Sequence, residues 1–157
     1  MYYTEQELTN IITEVRKIIE GDQGNEEKLK AVCVLLRDSV RHYDWVGFYI
    51  ADEEKRILTL GPFVGEPTEH TRIAFGQGIC GQAAEIKKPF IIQDVRKETN
   101  YLSCSVKVMS EIVMPVFRGD SIIGELDIDS HTVSPFSEKD TVLLEEVCEL
   151  VAPLLQR

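Results

Sequence analysis

The chain has 157 residues, which is enough for one domain with a substantial core but too short for two domains of typical size. Its composition, 43% hydrophobic and 28% charged, is typical of a soluble globular protein, and no apolar run approaches the roughly 20 residues of a membrane span. The formal net charge of −10 argues against nucleic acid or an anionic membrane as a partner, because both bind through Lys and Arg.

The cysteine content and the N-terminus both indicate a reducing compartment. The opening residues MYYTEQELTN lack the basic and then apolar order of a secretory signal, so we expect a cytoplasmic protein with reduced thiols. The cysteines are Cys33, Cys80, Cys104 and Cys148, and no C-x-x-C pair occurs. The three histidines are scattered, so neither the cysteines nor the histidines predict a zinc site.

Helices are predicted at both ends of the chain. Thr4 and Glu7 form a capping box before an apolar repeat at helical spacing, which predicts a helix over residues 5–20. A second apolar stripe follows the break EGDQGNEE and includes Cys33, and a closing stripe includes Cys148. Both cysteines are therefore expected to be small core residues.

The middle of the chain is predicted to be mainly β-structure. Short β-prone runs bounded by turn residues predict strands near 45–51, 56–60, 71–75, 89–93, 111–117 and 121–129. The segment GQGICGQAAEIKK predicts a loop and a short helix between the third and fourth strands. This order of elements indicates a single α+β domain over residues 1–157, with mainly antiparallel strands.

Cys80 and Cys104 remain as candidate reactive thiols once the core stripes are removed. Cys80 lies at or just inside the start of the short helix, where free amides and the helix dipole favour a thiolate. The alternative is a small residue packed between glycines. Cys104 lies in the aperiodic segment 96–110, close to Lys107, whose charge could lower the thiol pKa. Position alone does not decide whether either thiol is functional.

The segment GELDIDS, residues 124–130, places three carboxylates on one face of a strand. Glu125, Asp127 and Asp129 alternate with Leu126 and Ile128. Such a row repels itself unless it is fully solvated or faces a cation. The sequence leaves open a solvated outer face and a site for an ammonium group or a divalent metal.

Glu111 joins this acidic face in only one of two hairpin registers. A two-residue turn at Gly119 and Asp120 would pair Glu111 with Ile128 and send it to the opposite face. One further loop residue, or a bulge, would pair Glu111 with Asp129 instead. Local turn rules favour the two-residue turn.

The segment DWVGFY supplies an aromatic pair. Trp45, Gly47 and Tyr49 share one face of the first predicted strand, and Val46 with Phe48 share the other. The two aromatic residues suit either a core or the wall of an apolar pocket with a polar rim.

Taken together, these segments resemble the free methionine-(R)-sulfoxide reductases, which are enzymes built on a single GAF domain. The segments DWVGFYI, LGPFVGEP, RIAFGQGICGQAA, FIIQDV, SEIVMPV, IIGELDIDS and FSEKDTVLLEEV occur in that family's order and approximate spacing. The resemblance covers residues 5–155 approximately. It implies a six-stranded antiparallel sheet, with helices on one side and a ligand pocket on the other.

The resemblance also assigns roles to residues. It implies that Cys104 is the nucleophile and that Cys80 matches the cysteine of the G-x-G-x-C-G element. The residues that match the family's substrate-binding positions are Trp45, Tyr49, Glu111, Asp127 and Asp129. Free methionine sulfoxide is the implied substrate, and its α-ammonium group would satisfy the acidic face.

One position departs from the family pattern. Many members carry a resolving cysteine two residues before the R-I-x-F segment, where this chain has His70. A sulfenic acid formed on Cys104 would then be reduced through Cys80 or by an external thiol, such as thioredoxin or a small thiol. The chemistry that the resemblance implies requires no bound cofactor and no metal.

Two other functions fit the same domain. One is a non-catalytic GAF sensor that binds an amino acid or another metabolite, since fold alone does not determine function. The other is a dimerisation or scaffolding module that uses the first and last helices, and the sequence leaves a homodimer open.

Overall fold

The computed structural model of the protein describes residues 4–101 and 106–155. Within these ranges the helices are α1 (Glu5–Glu20), α2 (Asn25–Ser39), α3 (Gly78–Ile86) and α4 (Glu138–Val151). The strands are β1 (Trp45–Asp52), β2 (Ile57–Val64), β3 (Arg72–Ala74), β4 (Phe90–Ile92), β5 (Ser110–Arg118) and β6 (Ser121–Ser130). Short 3₁₀ turns occupy Val95–Lys97 and Ala152–Leu155. The predicted elements are confirmed, although β2 extends further than the sequence pattern indicated.

The strands form one antiparallel sheet in the order β3-β2-β1-β6-β5-β4. Helices α1, α2 and α4 pack on one face of this sheet and share a core with it. The short helix α3 packs on the opposite face, in a second and smaller cluster. The predicted α+β fold is therefore confirmed, with the three long helices on one side and α3 beside the central strands on the other. None of the helices within the described ranges combines the length and the hydropathy needed to cross a membrane.

The alternation of β1 separates the two layers. Val46 and Phe48 face the three long helices, whereas Trp45 and Tyr49 face α3. The helix-side core also contains Cys33 and Cys148, as predicted. Burial raises the pKa of Cys33 to about 12, and it raises the pKa of Cys148 as well, so both thiols stay protonated and serve as packing groups.

The β5–β6 hairpin contains both a two-residue turn and a bulge, which the sequence analysis treated as alternatives. The turn has two residues, because Arg118 pairs with Ser121. The register then shifts by one between Phe117, which pairs with Ile122, and Val116, which pairs with Gly124. Ile123 is the extra residue of this bulge.

The bulge determines which way Glu111 faces. Beyond it Glu111 pairs with Asp129, and the pairing with Ile128 expected from the turn alone is wrong. The side chains of Glu111, Asp127 and Asp129 therefore project from the same face of the sheet, the face that α3 covers.

Candidate functional site

A small pocket lies between the sheet and the start of α3. Six of the seven residues predicted for the site line it: Trp45, Tyr49, Cys80, Glu111, Asp127 and Asp129. The seventh, Cys104, lies outside the described residues. The pocket is partly open to solvent, and its cavity volume is about 20 Å³.

The acidic row is buried, which excludes the solvated outer face that the sequence left open. Across the sheet, Asp129 pairs with Trp45 and Asp127 pairs with Gly47. Glu111, Asp127 and Asp129 are each no more than 5% exposed, and no Lys or Arg in residues 4–101 and 106–155 lines the pocket. The site therefore concentrates negative or protonated carboxyl groups without a Lys or Arg among those walls.

Cys80 is the third residue of α3 and points at the acidic row. Its thiol is 5% exposed and donates a hydrogen bond to Oε2 of Glu111 at 3.7 Å. Burial raises the pKa of Cys80 well above its ordinary value, and the charges of the carboxylates nearby raise it further. The expectation that the helix start makes Cys80 a thiolate is therefore wrong, because burial and negative charge outweigh the helix dipole.

Asp127 is held toward its protonated form. Burial raises the pKa of this carboxyl, while hydrogen bonds from Glu111 and Cys80 offset part of the increase. A carboxylic acid that stays neutral near pH 7 can donate a proton as well as accept a hydrogen bond. Asp127 is thus a candidate proton donor in the pocket.

Glu125 continues the acidic row beneath the pocket, opposite Tyr49 on β1. It is fully buried, and neither carboxylate oxygen has a hydrogen-bond partner in the part of the chain that the structure describes. Burial raises the pKa of Glu125 well above its ordinary value, and the charge of Asp127 raises it further. The thiol of Cys80, a weak donor, opposes this increase.

Trp45 forms the aromatic wall that the sequence offered as one alternative. Its indole stacks on Phe63 with ring centroids 5.4 Å apart, and Nε1 donates to the carbonyl of Glu66 at 2.9 Å. The ring has room only because two neighbours lack a Cβ. A Cβ on Gly47 would lie 2.4 Å from the indole, and one on Gly65, where φ is +125°, would lie 2.6 Å from it.

Tyr49 forms the second part of this wall. Its hydroxyl donates to the carbonyl of His70 at 2.8 Å. Burial raises the pKa of Tyr49, and the charges of Asp127 and the other acids raise it further, so the phenol stays neutral. Together with Trp45, Tyr49 ties the loop between β2 and β3 over the pocket, and His70 lines the pocket from that loop.

Both ends of the segment that contains Cys104 are anchored beside the pocket. Tyr101 and Val108 pack in the same cluster as Trp45 and Cys80. Asn100 accepts a hydrogen bond from the amide of Gly78 at 3.0 Å and donates to the carbonyl of Gly76 at 2.9 Å. The chain on either side of Cys104 is therefore held against the loop that precedes Cys80.

Lys107 forms an ion pair with Glu66. Its ammonium group lies 3.5 Å from Oε1 of Glu66, in an exposed ion pair. The sequence-based expectation that Lys107 lowers the pKa of Cys104 is thus not tested, and part of the lysine charge is offset by Glu66.

Comparison with known proteins identifies the family. The family model described as "GAF domain" matches residues 26–156. The chain belongs to the GAF domain family. Its six-stranded sheet, with a pocket between the central strands and a short helix, agrees with the GAF fold implied by the sequence motifs.

Relatives of this GAF domain include named reductases. GAF domain-containing protein A of Dictyostelium discoideum is 35% identical over 147 residues, which cover 94% of this chain and 91% of that protein. The free methionine-R-sulfoxide reductase of Escherichia coli is 32% identical over 123 residues, which cover 78% of this chain and 73% of that protein. The resemblance to the free methionine-(R)-sulfoxide reductases is therefore confirmed.

A solved structure supports the same grouping. The X-ray structure of free methionine-R-sulfoxide reductase from Neisseria meningitidis in complex with its substrate matches with a TM-score of 0.88 and 28% identity. The match covers 99% of this chain and 93% of that one.

Sequence reasoning missed the residues that hold the aromatic wall in place. Phe63, Gly65 and the carbonyl of Glu66 belong to the segment LGPFVGEP, which carried the family resemblance but received no role. Gly65 was the one available signal, because a glycine beside a strand can indicate a close approach of the backbone to another group. The burial of Glu125 had no signal of its own, since it depends on how α3 packs.

The absence of a Cβ on Gly47 is expected to be essential for the position of the Trp45 indole in the pocket wall. The Gly47→Ala variant should lose roughly 1–3 kcal/mol of the free energy of unfolding, because the new methyl group collides with the indole. Trp45 is the single tryptophan of the chain, so its fluorescence spectrum should also shift. Gly24→Ala is the matched control for the spectrum of Trp45, because a Cβ there meets no atom within 4 Å. An unchanged Trp45 spectrum in Gly47→Ala would contradict this packing.

Glu125 is expected to make stability depend on pH. The folded protein binds its proton more tightly than the unfolded chain does, so stability falls as pH rises above the ordinary glutamate value of 4.5. At pH 8 the Glu125→Gln variant should gain roughly 1–3 kcal/mol in the free energy of unfolding, and the gain should shrink toward pH 4.5. Urea denaturation at both pH values measures this difference. The exposed Glu54→Gln variant should show neither effect.

Proposed function

We propose that this protein reduces free L-methionine-(R)-S-oxide to L-methionine. The observation that carries the proposal is the row of buried carboxyl groups beside an aromatic wall, with no Lys or Arg among the described residues that line the pocket. The α-ammonium group of a free amino acid complements such a row, whereas an amino acid within a polypeptide lacks this charge. The names of the relatives support the same substrate.

Glu111 and Asp129 are proposed to bind the ammonium group. They pair directly across β5 and β6, so one cation can contact both carboxylates. Trp45 and Tyr49 then face the apolar part of the substrate. The first turn of α3 also lines the pocket. The amide of Gly78 already donates to Asn100, so the amides of Ile79 and Cys80 are the candidates to hold the substrate carboxylate.

Cys104 is proposed as the nucleophile. Its thiolate attacks the sulfoxide sulfur, Asp127 protonates the departing oxygen, and that oxygen is transferred to the cysteine sulfur. Methionine leaves with its sulfur reduced by two electrons, and Cys104 becomes a sulfenic acid. Three residues span at most about 11 Å, so a chain anchored at Tyr101 permits Cys104 to reach the pocket.

Recycling is proposed to use an external thiol, such as thioredoxin or a small thiol. Two equivalents of thiol return the sulfenic acid to the thiol and form one disulfide and one water. Burial and the surrounding carboxylates keep the Cys80 thiolate scarce, which disfavours Cys80 as the resolving group. Thiol-dependent turnover of this kind suits the reducing cytoplasm proposed from the sequence.

The first test is turnover of free methionine sulfoxide by the purified chain with dithiothreitol, with the two sulfur epimers resolved by chromatography. We expect loss of the R epimer alone, and a decrease in kcat/KM of at least about 10³-fold in Cys104→Ser, because a nucleophile is removed. Cys33→Ala is the matched control, since Cys33 lies in the helix-side core.

Three results would overturn the reductase proposal: undiminished turnover in Cys104→Ser, consumption of the S epimer instead, or saturable binding of the sulfoxide without turnover. The last result would identify a sensor.

The recycling route has its own test. One equivalent of substrate is added to the reduced protein without a reductant, dimedone traps any sulfenic acid, and intact mass spectrometry identifies the product. We expect a dimedone adduct on Cys104. A protein mass lower by two hydrogens, together with a disulfide-linked peptide that contains Cys80 and Cys104, would instead assign Cys80 as the resolving cysteine.

A further inference from the structure

Three potential metal ligands converge inside the pocket. The sulfur of Cys80 and one carboxylate oxygen each from Glu111 and Asp127 lie within 4.8 Å of one another, and all three side chains are buried. They come from α3, β5 and β6, so the packing of the helix on the sheet creates the cluster.

Buried oxygens beside this cluster lack partners. Oδ1 of Asp127 has no hydrogen-bond partner, and neither do the two oxygens of Glu125, within the ranges that the structure describes. The charge of Asp127 and the thiol of Cys80 both affect the pKa of Glu125, so its carboxyl group borders the cluster. A buried polar atom without a partner costs roughly 1–3 kcal/mol, which a ligand at this point would recover.

We propose that Cys80, Glu111 and Asp127 form a binding site for a thiophilic divalent cation of the Zn²⁺ class, with the buried carboxyl group of Glu125 at its border. Carboxylates alone can bind an ammonium group, which does not require a sulfur ligand. A thiolate and carboxylates together are ligands that Zn²⁺ and Cd²⁺ accept, whereas Mg²⁺ requires an octahedral set of oxygens.

The geometry requires only small adjustments. Tetrahedral zinc with sulfur at about 2.3 Å and oxygen at about 2.0 Å places its donors roughly 3.3–3.5 Å apart. The three donors now lie within 4.8 Å, so side-chain rotations of about 1 Å bring them to that spacing. The thiol of Cys80 donates a hydrogen bond to Glu111. Metal binding would replace this hydrogen bond with an ion that both residues coordinate.

The consequence is inhibition of the activity proposed above. A cation on Glu111 and Asp127 occupies the carboxyl groups assigned to the substrate ammonium and to proton donation. Zinc should therefore compete with methionine sulfoxide. This consequence rests on the proposed function, but the binding site itself does not.

The binding experiment uses the full, reduced and metal-free chain titrated with CdCl₂ and, by calorimetry, with ZnCl₂. We expect one equivalent of Cd²⁺ to produce the ultraviolet charge-transfer band of a cadmium–thiolate bond. The Cys80→Ser variant should lose this band. Its affinity for Zn²⁺ should fall by more than the 10- to 100-fold that loss of an outer-sphere partner typically costs. Cys148→Ser, in the helix-side core, is the matched control and should keep the band.

A second variant separates ligand loss from misfolding. Asp127→Asn should keep the charge-transfer band but bind Zn²⁺ at least about 10-fold more weakly, because the thiolate remains and one anionic oxygen is lost. MgCl₂ should give no heat of binding.

The assignment is overturned if Cys80→Ser retains the band, if Cys104→Ser loses it, or if Mg²⁺ binds as tightly as Zn²⁺. Metal binding without reductase activity would refute the proposed function alone. Reductase activity without any binding of Zn²⁺ or Cd²⁺ would refute the metal site alone.

Discussion

The pocket depends on the register between β5 and β6. Because Glu111 lies opposite Asp129, four acidic side chains of two adjacent strands project from the face that α3 covers. A hairpin with the same two-residue turn and no bulge would place Glu111 in the apolar layer beneath the long helices, where a carboxyl group would lack any polar partner. The single extra residue, Ile123, is thus the structural condition for the site. Bulges commonly redirect side chains in this way next to functional sites.

Burying this acidic row has an energetic cost that the fold does not offset internally. Oxygens of Glu125 and Asp127 lack hydrogen-bond partners among the described residues, and burial favours the protonated forms of both groups. The same environment makes Cys80 a poor nucleophile, because a thiolate would add a further negative charge. A cationic ligand would bind the carboxyl oxygens and would stabilise the ionised forms of the carboxyl groups and of Cys80. The pocket is therefore better suited to a small cation-bearing molecule, or to a metal ion, than to a neutral or anionic one.

The walls of the pocket come from segments far apart in the chain. The loop between β2 and β3 is held by hydrogen bonds from Trp45 and Tyr49, and Asn100 ties the chain before Cys104 to the loop before Cys80. These contacts hold irregular segments against the strands, the short helix and one another. Loops held in this way can present reactive groups at a constant position above the sheet.

Much of this could be predicted from the sequence by itself. Local periodicity and capping determined α1, α2, α4 and the strands, because each pattern reports burial on one face of one element. Strand alternation also placed Asp127 beside Asp129, and Trp45 beside Tyr49, on shared faces. Family motifs determined the fold and the candidate nucleophile. Only the tertiary structure decided that Glu111 joins the acidic face, since the bulge and the expected turn coexist in one hairpin. It also decided that Cys80 is held protonated and that Glu125 is buried, because both depend on charges and surfaces that α3 and the sheet bring together from distant parts of the chain.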